Sequence, residues 1–496
     1  MRRLLLLFTV TSLFSLPCFS DEPESFEEYK KRVKTEFQNY KDKKKTEFEE
    51  YRARLNEEFA ARLSGEWKDH RTEPKKEVPS KPKPTKPIEA DKTKPSAPQK
   101  VPVKNVVPPE KPIPDIPVTL PKIDSKKPTI QYPISFKFYN TPCGIRKFDT
   151  SLINIKSTDN ASIAKAWKKL TENENLEPLL DDCLRLREEM QLCDWGFLQL
   201  ADKVASTLYP QSHDSKTFLT AAILIQAGYD CRILVKNGRL ALGYHPSHQI
   251  YGQSYTISDG KSYYIYGPLS EEEGLVSTYN GDFKKSPTPI RMVVDRYPMF
   301  ASPKEENKVY SSESWKSAPP FEVAVNKSVI DFYNSYPIVD WNLYGLAPAS
   351  PHVKNSLFPV MKILTEDLDE EKAVNLILSY LNFGFHYMTD EDQFGREKPF
   401  FPDENFYYPY DDCEDRAILF SLIVRNVLGL DVVYLHYPNH LAAAVRFSPG
   451  VEVKGATVDV DGVPYVVCDP TCMRSYAGYL PTQFSNESAK IYKVKI

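Results

Sequence analysis

Three residues in the C-terminal third of the chain have the types that a thiol nucleophile and its helpers require. Cys413 opens an apolar helical run, His440 begins an alternating strand-like run, and Asp469 ends another. A cysteine attacks a carbonyl as the thiolate, which an imidazole base and the amides of a helix N-terminus both favour. A carboxylate can hold the imidazole in the tautomer that accepts the thiol proton. The three residues therefore predict a Cys-His-Asp triad.

The elements around these residues must bring them together. Asp412 is the expected N-cap of a helix that starts at Cys413, and the apolar residues of RAILFSLIVRNVLG repeat at helical spacing. The strand HLAAAVRF begins with His440, and the strand VPYVVCD ends with Asp469. In a helix-strand-strand unit, one helix end and two adjacent strands can converge, so this order is compatible with a triad.

Four acidic residues surround the nucleophile, namely Asp411, Asp412, Glu414 and Asp415. Their negative charge is expected to raise the pKa of the thiol. They could bind calcium, but we expect them instead to cap the helix, and no metal site is predicted. The sequence contains no glycine-rich phosphate loop, so no nucleotide cofactor is predicted either.

The globular part of the sequence indicates an internal duplication. Each half contains an apolar helical run, a glycine (Gly228 or Gly429), two strand-like runs and an Asp-Gly hairpin. Aligning the halves sets the first-half residues His213 or Ser215, Arg239 and Gly267 against Cys413, His440 and Asp469, in that order. Only the second half can therefore do thiol chemistry, and the first is interpreted as a degenerate copy.

The second half also resembles a known family. YDDCEDRAILFSLIVRNVLGLDVVYL, YPNHLAAAVRF and YVVCDP resemble the transglutaminase core superfamily, and within it the bacterial transglutaminase-like cysteine peptidases with a D-C-x-D motif at the nucleophile. The resemblance covers about residues 320–480, and residues 130–300 only as a degenerate copy. It implies an α+β, papain-like fold, acyl transfer from an amide, and the triad roles of Cys413, His440 and Asp469.

Acyl transfer also requires donors for the developing oxyanion. The upstream candidates are Gln393 and Asn405, while Tyr407, Tyr408 and Tyr410 are candidates for lining a substrate groove. The same tyrosines could be plain packing residues.

Three functions remain open from the sequence. Hydrolysis of a peptide or isopeptide amide in a protein or peptide substrate is the leading hypothesis, because water is the default acceptor. Transamidation uses the same triad with an amine acceptor. A non-catalytic binding protein with two transglutaminase-like domains is the alternative of another class. The net charge of -3 and the pI near 6.3 give no global signal for a nucleic-acid partner.

The first twenty residues have the charged, apolar and small-residue regions of a secretory signal peptide. They predict export to the periplasm or the extracellular space. A lipoprotein acylated at Cys18 is a competing interpretation that Pro17 disfavours, and a retained membrane anchor is another. In an oxidising compartment, up to three disulfides are possible among Cys143, Cys183, Cys193, Cys231, Cys468 and Cys472.

A charged helix and a spacer are predicted before the globular part. Residues 21–71 contain an eleven-residue repeat marked by Phe26, Phe37, Phe48 and Phe59, which keeps an aromatic stripe on one helix face. The interpretations are a lone charged helix, or self-association or surface docking through residues 26–67. Residues 72–128 are rich in proline and lysine and predict a disordered, extended linker. Residues 129–305 and 306–496 are the predicted degenerate and catalytic domains.

Overall fold

The computed structural model describes residues 26–78, 87–90, 99–109, 130–284, 287–302, 305–310 and 321–494. They form a mixed α and β protein with curled sheets, which agrees with the predicted α+β class at that level. The predicted signal peptide and much of the predicted linker lie outside the described residues. Two compact units divide the chain, one ending at Leu55 and the other running from Asn56 onward.

In the described residues before residue 300, one long helix is followed by shorter helices and strands. They are α1 (Phe26–Leu63), β1 (Lys68–His70), β2 (Thr72–Glu73), β3 (Gln99–Lys100), β4 (Val103–Val107), β5 (Ile134–Phe138), β6 (Thr141–Ile145), α2 (Asn160–Thr171), α3 (Leu176–Glu189), α4 (Asp194–Leu208), α5 (His213–Gln226), β7 (Cys231–Lys236), β8 (Arg239–Tyr244), β9 (Tyr255–Ser258), β10 (Lys261–Tyr266) and β11 (Val276–Thr278).

The elements after residue 300 contain the predicted triad. They are β12 (Glu305–Tyr310), β13 (Phe321–Asn326), α6 (Lys327–Asn334), α7 (Trp341–Leu346), α8 (Pro351–Thr365), α9 (Glu370–Gly384), β14 (His386–Tyr387), α10 (Asp390–Phe394), β15 (Tyr410–Asp411), α11 (Cys413–Ile423), a π-helical turn (Val424–Leu428), β16 (Asp431–Tyr437), β17 (His440–Arg446), β18 (Ala456–Val460), β19 (Val463–Cys468) and β20 (Ala489–Lys493).

Two seven-stranded sheets share the order of their five central strands. The first has the order β1-β11-β7-β8-β10-β9-β2, and the second has β4-β20-β16-β17-β19-β18-β3. In each, a helix (α5 or α11) leads into two antiparallel hairpins, β7-β8 with β9-β10 or β16-β17 with β18-β19. The helix, the two hairpins and the five central strands therefore correspond in order. The edge strands differ, because β1 and β2 pair antiparallel with their neighbours whereas β3 and β4 pair parallel.

The glycines that follow the helices and the Asp-Gly turns of the two halves also correspond. Gly228 (φ 99°) and Gly429 (φ 71°) both follow the helix in a backbone conformation that favours glycine. The Asp-Gly pairs at residues 259–260 and 461–462 have positive φ at both positions, which is typical of the two-residue turns that match the twist of antiparallel strands.

Parts of the predicted linker are strands, so the prediction of a disordered spacer is wrong for residues 72–73 and 99–107. Thr72–Glu73 pairs with β9, while Lys68–His70 pairs with β11 at the other edge of the first sheet. Gln99–Lys100 pairs with β18 and Val103–Val107 with β20, the two edges of the second sheet. In each sheet, one short segment from the N-terminal part of the chain thus pairs through its backbone with both edges of the curled sheet. Composition does not reveal this, because an edge strand is stabilised by its partner's backbone groups.

The curled second sheet encloses an apolar core. Alternate residues of its strands point inward, and they form one buried cluster: Val101, Val433, Leu435, Tyr437, Ala442, Ala444, Ala456, Val458, Val460, Val467, Phe484, Ala489 and Ile491. This alternation is the two-residue period of a strand. Helix α11 is buried along its whole length and packs against β16 and β17.

The two halves pack together within the second unit. Phe332 lies against Tyr139 and Phe300, with ring centroids 5.7 Å apart in both cases. The strands β12 and β13 pair with each other at the predicted domain boundary between residues 305 and 306. Among the described residues, no helix has both the length and the apolar composition needed to cross a bilayer.

Candidate active site

His440 and Asp469 lie on neighbouring strands and are joined by a hydrogen bond. His440 begins β17, and Asp469 directly follows β19, which pairs with β17 in the register Ala443 to Cys468. The imidazole Nε2 lies 2.8 Å from Asp469 Oδ2, and both side chains are buried. This arrangement is the one that the sequence predicted for the base and its orienting carboxylate.

The carboxylate of Asp469 is held on both oxygens. Oδ1 accepts the backbone N–H groups of Thr471 at 2.9 Å and Cys472 at 3.3 Å. Burial acts to raise the pKa of Asp469, but His440 and these two amides outweigh it, so that the pKa lies below its ordinary value. Asp469 is therefore an anion able to stabilise an imidazolium.

The ring of His440 is fixed from one side by an aromatic contact. Phe484 stacks on it with centroids 4.9 Å apart and an interplanar angle of 6°. Tyr437 stacks on Phe484 in turn, with centroids 4.8 Å apart. With Nε2 engaged by Asp469, Nδ1 is the ring nitrogen that could accept a proton from a thiol.

Cys413 is the first residue of α11, as the sequence predicted, and is 2% exposed. Its thiol donates a hydrogen bond to Glu414 Oε2 at 3.0 Å. A backbone hydrogen bond from Leu441, the residue after His440, also acts on the sulfur. The sulfur therefore lies at the start of β17, but in this state its side-chain partner is Glu414 rather than His440.

The environment of Cys413 favours the protonated thiol. Burial raises the pKa of this thiol well above its ordinary value, and the negative charge of Asp412 raises it further. Of the four acidic neighbours, Asp412 acts on the thiol pKa in the predicted direction, while the hydrogen bond to Glu414 lowers the pKa and burial is the largest cause of its rise. All seven cysteines in the described part of the chain are free thiols, so Cys413 is not held in a disulfide and the bridges considered from the sequence are not formed.

The acidic residues around Cys413 are buried rather than solvated. Asp415 Oδ2 accepts the backbone N–H of Asp412, which caps α11 as expected, and Asp411 pairs with the buried Arg416 at 2.8 Å. Burial, followed by the charge of Asp412, raises the pKa of Asp390 to about 9. Burial also raises the pKa of Asp412 to about 6. The cluster thus contains more acidic side chains than basic side chains that could neutralise them.

This cluster could hold a hard cation. Asp390, Glu397 and Glu414 offer oxygens that lie within 4.8 Å of one another, and Asp412, Cys413 and Glu414 form a second such group. Asp390 Oδ1, Asp412 Oδ1 and Glu414 Oε1 are buried and accept no hydrogen bond. Several carboxylate oxygens around one point are the ligands that Ca²⁺ takes. The sequence predicts that the acidic residues around Cys413 cap the helix and solvate its end. Asp412 and Asp415 do form the cap, but the four residues are buried and not solvated.

The two oxyanion candidates use their amides within the protein. Gln393, on α10, donates from Nε2 to the carbonyl of Tyr410 at 3.2 Å, which brings it to the strand that leads into Cys413. Asn405 is buried and donates from Nδ2 to Pro402 O at 3.4 Å, within its own 3₁₀ turn.

The three tyrosines have different surroundings. Tyr408 donates to Asn334 at 3.0 Å and stacks on Phe400, so it packs the protein. Tyr407 and Tyr410 are partly exposed, and Tyr410 lies in β15, two residues before Asp412. Of the groove candidates, Tyr410 is therefore the one that lies directly before helix α11 in the chain.

Sequence reasoning missed two contacts of the site. Glu414 was recognised as a neighbour in the motif but not as the partner of the thiol, because a helical i,i+1 pair does not normally face the same way. Phe484 lies in a 3₁₀ turn (Thr482–Phe484) far along the chain, and no periodic signal in the sequence points to it.

The corresponding place in the first half is a pocket of about 160 Å³. His213 begins α5 and its Nε2 lies 2.8 Å from the carbonyl of Leu240, while Gly267 follows β10 with φ 90°. Lys216 and Asp202 both line the pocket, and Lys216 Nζ lies 3.1 Å from Asp202 Oδ1. Of the positions aligned with the triad, His213 and Gly267 line this cavity, Arg239 does not, and no lining residue is a cysteine.

Comparison of the chain with models of protein families, with curated proteins and with solved structures gives no match in any of the three.

Proposed function

We propose that residues 306–496 form a transglutaminase-like, papain-type thiol enzyme that hydrolyses peptide or isopeptide amides. Cys413 is the nucleophile, His440 the base and Asp469 the orienter. The observation that carries the proposal is the buried 2.8 Å bond between His440 and Asp469, next to the helix that begins at Cys413. The sulfur's contact with the backbone of Leu441 supports it, because Leu441 adjoins the base in sequence.

In the proposed reaction, the thiol first rotates from Glu414 toward His440. His440 Nδ1 accepts the proton, and the thiolate adds to the amide carbonyl carbon while the carbonyl electrons move onto oxygen. The C–N bond of the adduct breaks, and the amine leaves with the proton from the imidazolium. Water then adds to the thioester as His440 accepts one of its protons. The C–S bond breaks, the proton returns to sulfur, and a carboxylic acid leaves.

The acceptor distinguishes hydrolysis from cross-linking. An amine in place of water would give transamidation through the same thioester. Hydrolysis remains the preferred proposal because water reaches any site that does not exclude it.

The first half is proposed to be a degenerate copy of the same papain-like domain that recognises part of the substrate. The shared strand order supports the relationship, and the pocket at the equivalent position supports a binding role. Export of the mature protein is part of the same proposal and is based on the composition of the first twenty residues.

A non-catalytic binding protein is the second candidate function. The burial of Cys413 and the raised pKa of its thiol favour it, because a protonated, enclosed thiol is a poor nucleophile.

Alkylation of the full chain by iodoacetamide tests the proposal. An enzyme is expected to lose one fast-reacting thiol near neutral pH on Cys413→Ala, and to keep it in the control Cys472→Ala, whose thiol is equally buried. Cleavage of a mixed peptide library by the wild type but not by Cys413→Ala would support hydrolysis. Equal alkylation of the wild type and Cys413→Ala, with no cleavage by either, would favour the binding protein.

A further inference from the structure

The first compact unit carries a regular apolar stripe that is open to solvent. Within α1, the side chains of the stripe are between 41% and 59% exposed; they are Val33, Phe37, Tyr40, Phe48 and Tyr51. Lys41, Lys44 and Arg54 of the same helix lie over the rings of Phe37, Tyr40 and Tyr51, at 4.8, 5.9 and 5.3 Å from the ring centroids, but these rings remain between 42% and 59% exposed. The stripe therefore needs an occupant, and the geometry of the helix identifies it.

The spacing of the stripe is that of an eleven-residue repeat. Successive members lie 4, 3, 8 and 3 residues apart, and Lys44 occupies the position that divides the eight-residue step into four and four. Eleven residues in three turns give about 98° per residue, so the stripe runs nearly straight along the helix. Two such helices can therefore pack along their whole length with little supercoiling.

Charges of opposite sign border the stripe. Glu36 and Glu47 lie about 65° from its centre on one side, and Lys41 and Arg52 lie about 65° from it on the other. Each acidic residue precedes a basic residue by five positions. In parallel paired helices, opposite borders face each other, whereas in antiparallel pairs like borders do. Only the parallel arrangement sets acid against base.

We propose that residues 30–52 pair with the same segment of a second copy of this chain, parallel and in register. Glu36 then faces Lys41 of the second copy, and Glu47 faces Arg52 of the second copy. Tyr40 meets Tyr40, and Phe48 meets Phe48. The second copy is the occupant because its stripe has the same period and its borders complement these charges.

Lys44 sets the register of the proposed pair. It lies on the stripe and forms a 2.7 Å ion pair with Glu47 of its own helix. In the in-register pair the two Lys44–Glu47 pairs lie side by side, and a shifted register would bury a lysine among aromatic rings. A single polar residue at a core position fixes the register of paired helices at a cost in stability. Lys44→Leu is therefore expected to tighten association.

Sedimentation equilibrium of the full chain and cysteine cross-linking test the orientation. We expect the mass of two chains of 56.9 kDa at tens of micromolar. Copper phenanthroline and dioxygen, as the oxidant, should join two copies of Tyr40→Cys through a disulfide, but not the control Thr35→Cys, which lies on the opposite helix face. The wild type gives the background from native thiols. A single-chain mass, a larger oligomer, or equal cross-linking of both variants would overturn the proposal.

Charge reversal tests the partner's orientation independently. The variant Glu36→Lys/Glu47→Lys makes both borders basic and should weaken association at least about tenfold. Adding Lys41→Glu/Arg52→Glu restores opposite borders and should restore association. Failure of the fourfold variant to recover, or no weakening in the first, would contradict parallel pairing.

Discussion

The imidazole of His440 lies almost parallel to the ring of Phe484, 4.9 Å away and tilted by 6°. The contact leaves the edge of the imidazole to Asp469 and covers one of its faces. Because Phe484 is itself stacked on Tyr437, the ring of His440 packs, through Phe484, against the apolar core of the second sheet.

Removing the ring that stacks on His440 should impair the proposed role of His440 as a base more than it destabilises the fold. Phe484→Leu keeps an apolar side chain of similar volume, so we expect a loss of less than about 2 kcal/mol in the free energy of unfolding. Alkylation of Cys413 by iodoacetamide near pH 7 should slow by about tenfold, since small displacements of a positioned group are costly. Phe484→Tyr retains the ring and serves as the control. An unchanged alkylation rate in Phe484→Leu would contradict the positioning role.

Removing the charge of Asp469 should disable the site while preserving its shape. Asp469→Asn is expected to lower amide cleavage by about a hundredfold or more, because the imidazolium loses its stabilising anion. The exposed Asp367→Asn is the matched control. Activity measured across pH 5 to 9 is the test, and a variant as active as the wild type would remove Asp469 from the triad.

The buried acids predict that stability declines as pH rises. Asp390 and Asp412 have pKa values of about 9 and about 6 in the folded protein, above those of unfolded aspartate, because burial disfavours their charged forms. The folded state therefore binds more protons than the unfolded state over this range. Their contribution is complete below the unfolded pKa and is lost as pH rises through each folded value.

Urea unfolding at pH 5, 7 and 9 measures this decline. Each proton involved contributes a slope of at most about 1.4 kcal/mol per pH unit. Asp390→Asn removes one titrating group, so its stability should vary less between pH 7 and 9. The same slope in the variant and the wild type would show that Asp390 is not the group responsible.

The same cluster predicts a response to calcium. At pH 8, Ca²⁺ at about 5 mM should raise the melting temperature, because a bound cation neutralises carboxylates that otherwise repel one another. Glu414→Gln and Asp390→Asn should each reduce the increase, while Asp367→Asn should not. Potassium at matched ionic strength controls for screening. An identical increase with potassium would argue against a specific site.

The ion pair between Arg416 and Asp411 should be indispensable to the folded site. Arg416→Met leaves a buried carboxylate without its cation and should cost about 3–5 kcal/mol in the free energy of unfolding. The double variant Arg416→Met/Asp411→Leu should recover most of that loss. Urea unfolding of both variants is the measurement, and a fully stable single variant would contradict the buried pair.

The sequence predicted the local framework of the site better than its contacts. The helix start at Cys413, the strand start at His440 and the Asp-Gly hairpins each depend on neighbours in the chain, so capping and alternation reveal them. The partner of the thiol and the ring that covers His440 depend on rotamers and on a distant turn. Periodicity carries no information about either.

The strands in the proline- and lysine-rich segment show the same limit. Val103–Val107 is a short segment of mixed polarity between two prolines, and its pairing with β20 depends on an edge that lies almost four hundred residues further along the chain. Composition correctly indicates that such a segment has no core of its own. It does not indicate that a sheet elsewhere will use the segment to complete its hydrogen bonds.

The pairing of residues 99–107 with both β18 and β20 has a practical consequence for dissecting the molecule. A fragment that starts at residue 306 would carry the triad but would expose two bare sheet margins, the kind of surface that recruits neighbouring molecules into aggregates. A separate peptide of residues 99–107 should pair with both of these edges and reduce the aggregation of such a fragment.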